Sequence, residues 1–180
     1  MVLTKHTIFQ DPPDDLDETW QNGALLGGMV EDVYDCLAIA DTFKLAGDCL
    51  VKSVPSKVEG YEVVYPILFN YRHSLELYLK AVVRPSKRTH NLQTLLQHFI
   101  EYIENNYNTE PPTYFKRWIL EFDEFDKKSD AFRYHDVGIV SSKTNGRGEF
   151  WIDFVRLGEI MNYFQKCFHR IAKGWSAPGI

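Results

Sequence analysis

Four polar residues of one segment have types and spacings suited to phosphate chemistry. In the run YRHSLELYLK, Arg72, Glu76 and Lys80 follow one another at intervals of four, and His73 lies three residues before Glu76. On a helix these intervals bring the side chains together as a polar stripe beside the buried face. The stripe predicts either a solvated ladder of ion pairs or a partly enclosed site. In such a site Arg72 and Lys80 would bind phosphate, Glu76 would orient Arg72, and His73 could move a proton.

A basic linker follows the stripe and leads to a second histidine. The run RPSKRTH contains Arg84, Lys87 and Arg88 and ends at His90, near the expected start of the next helix. The amino terminus of a helix with several cations nearby attracts phosphate. The alternative is a solvated turn in which His90 lies close to the helix cap.

A third cluster lies in a long stretch without helical periodicity, residues 129–148. It contains Phe132, Arg133, Tyr134 and His135, in which one cation is flanked by aromatic rings that could stack on a base. Loops of this length in compact domains are often functional. The alternative is a loop that Phe132 and Tyr134 pin onto the helices.

Other classes of site are poorly represented in the sequence. It has no P-loop, no dinucleotide-binding glycine motif and no nucleophile elbow. Its carboxylates also lack the pattern of a di-metal site in a helical bundle. We therefore expect no metal and no cofactor, and we interpret Asp123, Glu124 and Asp126 as the solvated face of a helix.

The elements that must position these residues are helices. Apolar residues recur at intervals of three and four, and no alternating strand pattern of useful length is found. The predicted fold is all-α, a single bundle of about five helices with a long loop before the last one. The expected helices run from residue 24 to Pro55, over 63–83, from 89 or 90 to Asn105-Asn106, from Pro111-Pro112 to about 125, and over 149–173.

Length, composition and net charge limit which classes of protein the chain can belong to. The chain has 180 residues, a net charge of -5 and 44% hydrophobic residues, which predicts one globular domain with a buried core. The acidic balance argues against a surface of basic patches for non-specific duplex binding. We expect an acidic irregular arm over 1–22 and the helical domain over 23–176. Three separated cysteines, taken as buried, and the lack of a signal peptide or a membrane span predict a cytoplasmic protein without a membrane partner.

Three segments in this order resemble those of one known family. The runs YRHSLELYLKAVV (71–83), THNLQTLL (89–96) and FRYHDVG (132–138) look like the HEPN group, the higher eukaryotes and prokaryotes nucleotide-binding domains. The resemblance covers about residues 24–173. It implies a helical bundle that handles RNA or nucleotides, commonly as a homodimer, in bacterial toxin–antitoxin, phage-defence or stress systems. An antitoxin or a nucleotidyltransferase-like protein would be its partner.

Many members of this family are metal-independent ribonucleases with an Arg and a His separated by four to six residues near the last helix. Here the pair at that spacing is Arg84 and His90, before the third helix. In a ribonuclease, His90 or His73 would abstract the 2′-hydroxyl proton, and arginines such as Arg72 would stabilise the phosphorane. The alternative is a non-catalytic interaction module. The candidate phosphate-binding residues are Arg72, Glu76, Lys80, Arg84, Arg88, Arg133, Tyr134 and His135.

Overall fold

Five helices form the described part of the chain. The computed structural model describes Ala24 and residues 35–54, 56–87, 89–126, 129, 132 and 150–174. Apart from Ala24, these residues belong to one unit, Asp35–Ile180. They contain no strand, so the predicted all-α class is confirmed. The helices are α1 (Cys36–Ser53), α2 (Gly60–Val83), α3 (Leu92–Tyr107), α4 (Thr113–Phe125) and α5 (Phe154–Ala172).

Capping side chains decide where three of the helices begin. Asp35, Asn91 and Asp153 each have extended backbone and accept hydrogen bonds from amides of the following first turn. Such bonds satisfy amides that have no partner within the helix. The starts predicted near residues 89 and 149 were therefore too early, and the helix predicted from residue 24 is interrupted at Asp35. The predicted part of the first helix over 25–34 lies outside the described residues.

Helix α2 begins earlier than its apolar pattern predicts. Glu59 and Glu62 form a reciprocal capping box, in which the Glu59 amide donates to the Glu62 carboxylate at 2.9 Å. The helix therefore starts at Gly60 rather than at residue 63. Pro66 was expected in the first turn but lies inside the helix.

Helix α2 lies at the centre of the bundle, packed against α1, α3 and α5, while α4 packs on α3. Helices α1 and α2 pack closely at Gly47, where an added Cβ would lie 2.5 Å from Cε1 of Tyr71. Because α2 is surrounded, it buries Arg72 and Glu76 as well as its apolar residues. None of the described helices is both long and apolar enough to cross a bilayer. Cys36 and Cys49 are exposed, contrary to expectation.

Candidate functional site

Arg72 is the centre of a buried polar network between α2, the start of α3 and the segment after α4. Its Nη1 donates to Glu76 Oε2 at 3.1 Å and to Ser129 Oγ at 3.0 Å. Nη2 donates to the backbone oxygens of His90 and Asp126, both at 2.9 Å. Nε donates to the backbone oxygen of Asp126 at 3.1 Å and lies 3.2 Å from Oδ2 of the Asp126 carboxylate. All five N–H groups of the guanidinium are thus directed at protein acceptors.

This placement corrects two interpretations of Arg72. Only 1% of the Arg72 and Glu76 side chains is exposed, so the pair is not a solvated ladder. The guanidinium also has no N–H group left for a phosphate oxygen in this arrangement. Arg72 instead links the end of α4 to the start of α3, a role that the local sequence spacing does not reveal.

Glu76 brings Lys80 and His90 together. Its Oε1 accepts from Lys80 Nζ at 2.7 Å and lies 2.8 Å from His90 Nδ1. Burial by itself would raise the pKa of Glu76, but the hydrogen bonds from Lys80 and His90 hold that pKa below its ordinary value. Because an ionised carboxylate only accepts, Nδ1 of His90 is the donor.

His90 is the exposed member of this group. Its side chain is 63% exposed, and no described residue forms a hydrogen bond with Nε2. A neutral imidazole with a proton on Nδ1 presents Nε2 as a base. A buried carboxylate thus orients an exposed imidazole in the manner of a catalytic acid–base pair.

His73 does not join this network. Its ring packs edge-on against Phe43 of α1, with the centroids 4.3 Å apart, and stacks on Phe69 of α2 at 5.9 Å. Burial lowers the pKa of His73, and the positive charges of Lys80 and Arg72 lower it further against the opposing effect of Glu76. His73 is therefore a neutral packing residue between aromatic rings.

Two carboxylates interpreted as solvated are buried. Asp123 accepts through Oδ1 from the amides of Leu92 and Gln93 at 3.1 and 3.2 Å, which caps the start of α3 from α4. Asp126 binds Arg72 as described above. The interpretation of both as a wet helix face is wrong, because the start of α3 packs over Asp123 and the Arg72 side chain of α2 reaches Asp126.

The structure locates part of the remaining predicted site. Arg84 ends α2 in the left-handed conformation and is exposed, as is Lys87 in the linker. Arg88, Arg133, Tyr134 and His135 lie outside the described residues. Of the candidate residues, the structure therefore brings together Arg72, Glu76, Lys80 and His90.

A second polar cluster was not anticipated from the sequence. Asp41 of α1 accepts from the Tyr78 hydroxyl, from Gln165 Nε2 at 2.8 Å and from His169 Nε2 at 2.8 Å. Burial opposes ionisation of Asp41, but these hydrogen bonds lower its pKa overall. Asp41 and His169 lie 128 positions apart in the sequence. The available signal for this cluster was the i,i+4 spacing of Gln165 and His169, which puts both side chains on one side of a helix.

Comparisons with protein-family models, curated proteins and solved structures give no match. Within the described ranges, no group of three or more His, Cys, Asp or Glu side chains could hold a metal ion.

An apolar cavity of about 270 Å³ opens on a different face of the bundle. Leu68 of α2, Phe122 of α4 and Leu157 of α5 line it together with Trp151. The Trp151 side chain is 91% exposed, and Val155 is exposed beside it. This apolar surface is separate from the Glu76–His90 pair.

Proposed function

We propose that the protein binds RNA at the corner between α2 and α3 and cleaves it without a metal ion. The observation that carries this proposal is the Glu76–His90 pair, in which a buried carboxylate lies 2.8 Å from an imidazole that is 63% exposed. The resemblance to the HEPN group supports RNA, or a nucleotide, as the ligand.

His90 is the proton acceptor in the proposed reaction. Nε2 takes the proton of a ribose 2′-hydroxyl, and the 2′-oxygen attacks the adjacent phosphorus. The bond from phosphorus to the 5′-oxygen then breaks, and water protonates this leaving group. The products are a 2′,3′-cyclic phosphate and a 5′-hydroxyl, so DNA, which lacks the attacking group, is not cleaved.

The cations of the corner stabilise the charged phosphate group. Lys80 holds its ammonium against Glu76, next to His90, while Arg84 and Lys87 supply exposed charge from the linker. Arg72 acts through other groups: it bonds to both the Glu76 carboxylate and the His90 backbone. It is therefore a positioning residue in this proposal and does not contact the phosphate.

The test is cleavage of a single-stranded RNA oligonucleotide in the presence of EDTA. We expect cleavage by the natural chain, a loss of about 100-fold or more in rate for His90→Ala, and no cleavage of the matching DNA. His98→Ala is the matched control, because His98 is an exposed histidine of α3 outside the network. Equal cleavage rates for His90→Ala and His98→Ala would show that His90 does not take part in the reaction.

A second candidate function is a non-catalytic interaction module that forms a homodimer. The specific observation is the exposed apolar group Phe150, Trp151 and Val155 next to the apolar cavity, since contiguous apolar surface marks interaction sites. An antitoxin or a nucleotidyltransferase-like protein is the alternative occupant.

Sedimentation at micromolar concentration tests this candidate. We expect a dimer that Trp151→Ser converts to a monomer of 21.0 kDa. Tyr61→Ser is the control, since Tyr61 is an exposed aromatic residue on α2. A natural chain that sediments as a monomer would contradict the dimer.

A further inference from the structure

A large cavity lies at the carboxyl end of α2, where it meets α1, α3 and α5. Its volume is about 680 Å³. Small-molecule sites in proteins commonly enclose about 300–1,000 Å³. The cavity is therefore large enough for an organic molecule of one or two rings.

The walls of this cavity combine apolar surface with two cations and one carboxylate, that of Asp35. Asp35 is the cap of α1, and its Oδ1 accepts from the Ala38 amide at 2.8 Å. Leu37 of α1, Val82 of α2 and Ile171 of α5 are apolar, and Tyr102 of α3 adds an aromatic ring. Lys80 and Arg84, four residues apart on α2, also line it. Positive charge beside an apolar wall is suited to a ligand that carries an anion on an apolar body.

The Arg84 guanidinium is available to a ligand. The residue is exposed and caps α2 in the left-handed conformation, as Asn108 caps α3. Its guanidinium forms no hydrogen bond or ion pair with any residue that the structure describes. Donors of this kind at the wall of a cavity can bind an anionic group.

We propose that this cavity binds a small organic anion. A phosphate or carboxylate group lies between Lys80 and Arg84, and an aromatic or aliphatic body packs against Leu37 and Tyr102. The site goes beyond the proposed function, because its walls do not include His90. The two sites share Arg84 and Lys80; the Lys80 ammonium bonds to Glu76 at 2.7 Å and also lines the cavity.

Binding of 1-naphthyl phosphate to the ¹⁵N-labelled full chain, followed by NMR, tests the proposal. We expect the amide signals of Ala81, Val82 and Ala172 to shift on addition, because these residues line the cavity. Signals of Trp151 and Ile152 at the other cavity should stay in place. Shifts confined to the second set, or no shifts at millimolar probe, would overturn the site.

Three further probes define the ligand class. 1-Naphthoate distinguishes a carboxylate from a phosphate group, and whichever binds more tightly identifies the anion. 1-Naphthol and inorganic phosphate should each bind at least about tenfold more weakly than 1-naphthyl phosphate, since each lacks half of the interaction. Affinity for 1-naphthol equal to that for 1-naphthyl phosphate would contradict the role of the cations.

Arg84→Asn removes one cation while keeping a residue that tolerates the left-handed backbone. We expect its dissociation constant for 1-naphthyl phosphate to rise about tenfold or more, with no loss for Lys57→Gln, which changes an exposed cation in the turn between α1 and α2, outside both sites. Equal affinities for the two variants would overturn the assignment of Arg84. His90→Ala should bind the probe like the natural chain, so a failed RNA assay and a failed cavity remain distinguishable.

Discussion

Arg72 and Glu76 form a buried ion pair, in which Nη1 of the guanidinium lies 3.1 Å from Oε2 of the carboxylate. Only 1% of each side chain is exposed. Arg117 and Glu121 on α4 have the same order and the same spacing of four, and they pair at 2.9 Å. Their side chains, however, are 77% and 53% exposed. An Arg and a Glu four residues apart thus form a buried ion pair on α2 and a solvated ion pair on α4.

Replacing Arg72 should lower the stability of the protein far more than replacing Arg117. We expect Arg72→Met to lower the free energy of unfolding by about 3–5 kcal/mol, because it removes a buried positive charge that pairs with both Glu76 and Asp126. Arg117→Met should cost no more than about 1 kcal/mol, since exposed pairs contribute little. Urea denaturation of both variants measures the difference. Similar losses would mean that the Arg72 network does not stabilise the bundle.

The contact between α1 and α2 depends on the absence of a side chain at Gly47. In Gly47→Ala the new Cβ would lie 2.5 Å from the Tyr71 ring, so we expect a net loss of about 1–3 kcal/mol of stability. At Gly158 of α5 the nearest atom to an added Cβ is the Tyr71 hydroxyl at 4.0 Å. Gly158→Ala should therefore gain about 0.5–1 kcal/mol from helix propensity. Thermal unfolding measures the stability of each variant relative to the natural chain. A Gly47→Ala variant as stable as the natural chain would contradict the close packing of α1 on α2.

His73 should make stability depend on pH in the weakly acid range. Burial holds its pKa below the ordinary value of about 6.5, so the unfolded chain binds the proton more readily than the folded chain. Stability from this group is therefore complete above about pH 6.5 and falls as pH decreases, by at most about 1.4 kcal/mol per unit.

The variant His73→Phe keeps a ring between Phe43 and Phe69 but cannot titrate. We expect its unfolding free energy to vary less between pH 7 and pH 5 than that of the natural chain, in urea denaturation at each pH. His98→Gln, which alters an exposed histidine, should retain the natural slope. An unchanged slope in His73→Phe would show that His73 is not the group responsible.

The Asp41 cluster should stabilise the contact between α1 and α2. The Tyr78 hydroxyl donates to the Asp41 carboxylate, and burial together with this negative charge raises the pKa of Tyr78. We expect Tyr78→Phe to lose about 1.5–3 kcal/mol, as for other hydrogen bonds to charged groups. Tyr61→Phe on the exposed face of α2 should stay within about 0.5 kcal/mol. Equal midpoints in urea would contradict a stabilising role for the Tyr78 hydroxyl.

The helical class and the approximate positions of all five helices could be predicted from the sequence. Apolar residues such as Leu75, Leu79 and Phe164 recur with the helical period, because each helix must bury one side. The helix starts were predicted less well. They depend on single side chains such as Asp35 and Asp153, which cap the first turn, while the apolar period only marks the buried face.

The sequence by itself determined that Arg72, Glu76 and Lys80 share one side of a helix, since four residues make about one turn. Only the tertiary structure decided that this side is enclosed, because the start of α3 and the segment after α4 pack over it. The pairing of Glu76 with His90 and of Asp41 with His169 was decided in the same way. Helical spacing relates residues within a few positions, whereas contacts across 14 and 128 positions depend on how the helices pack.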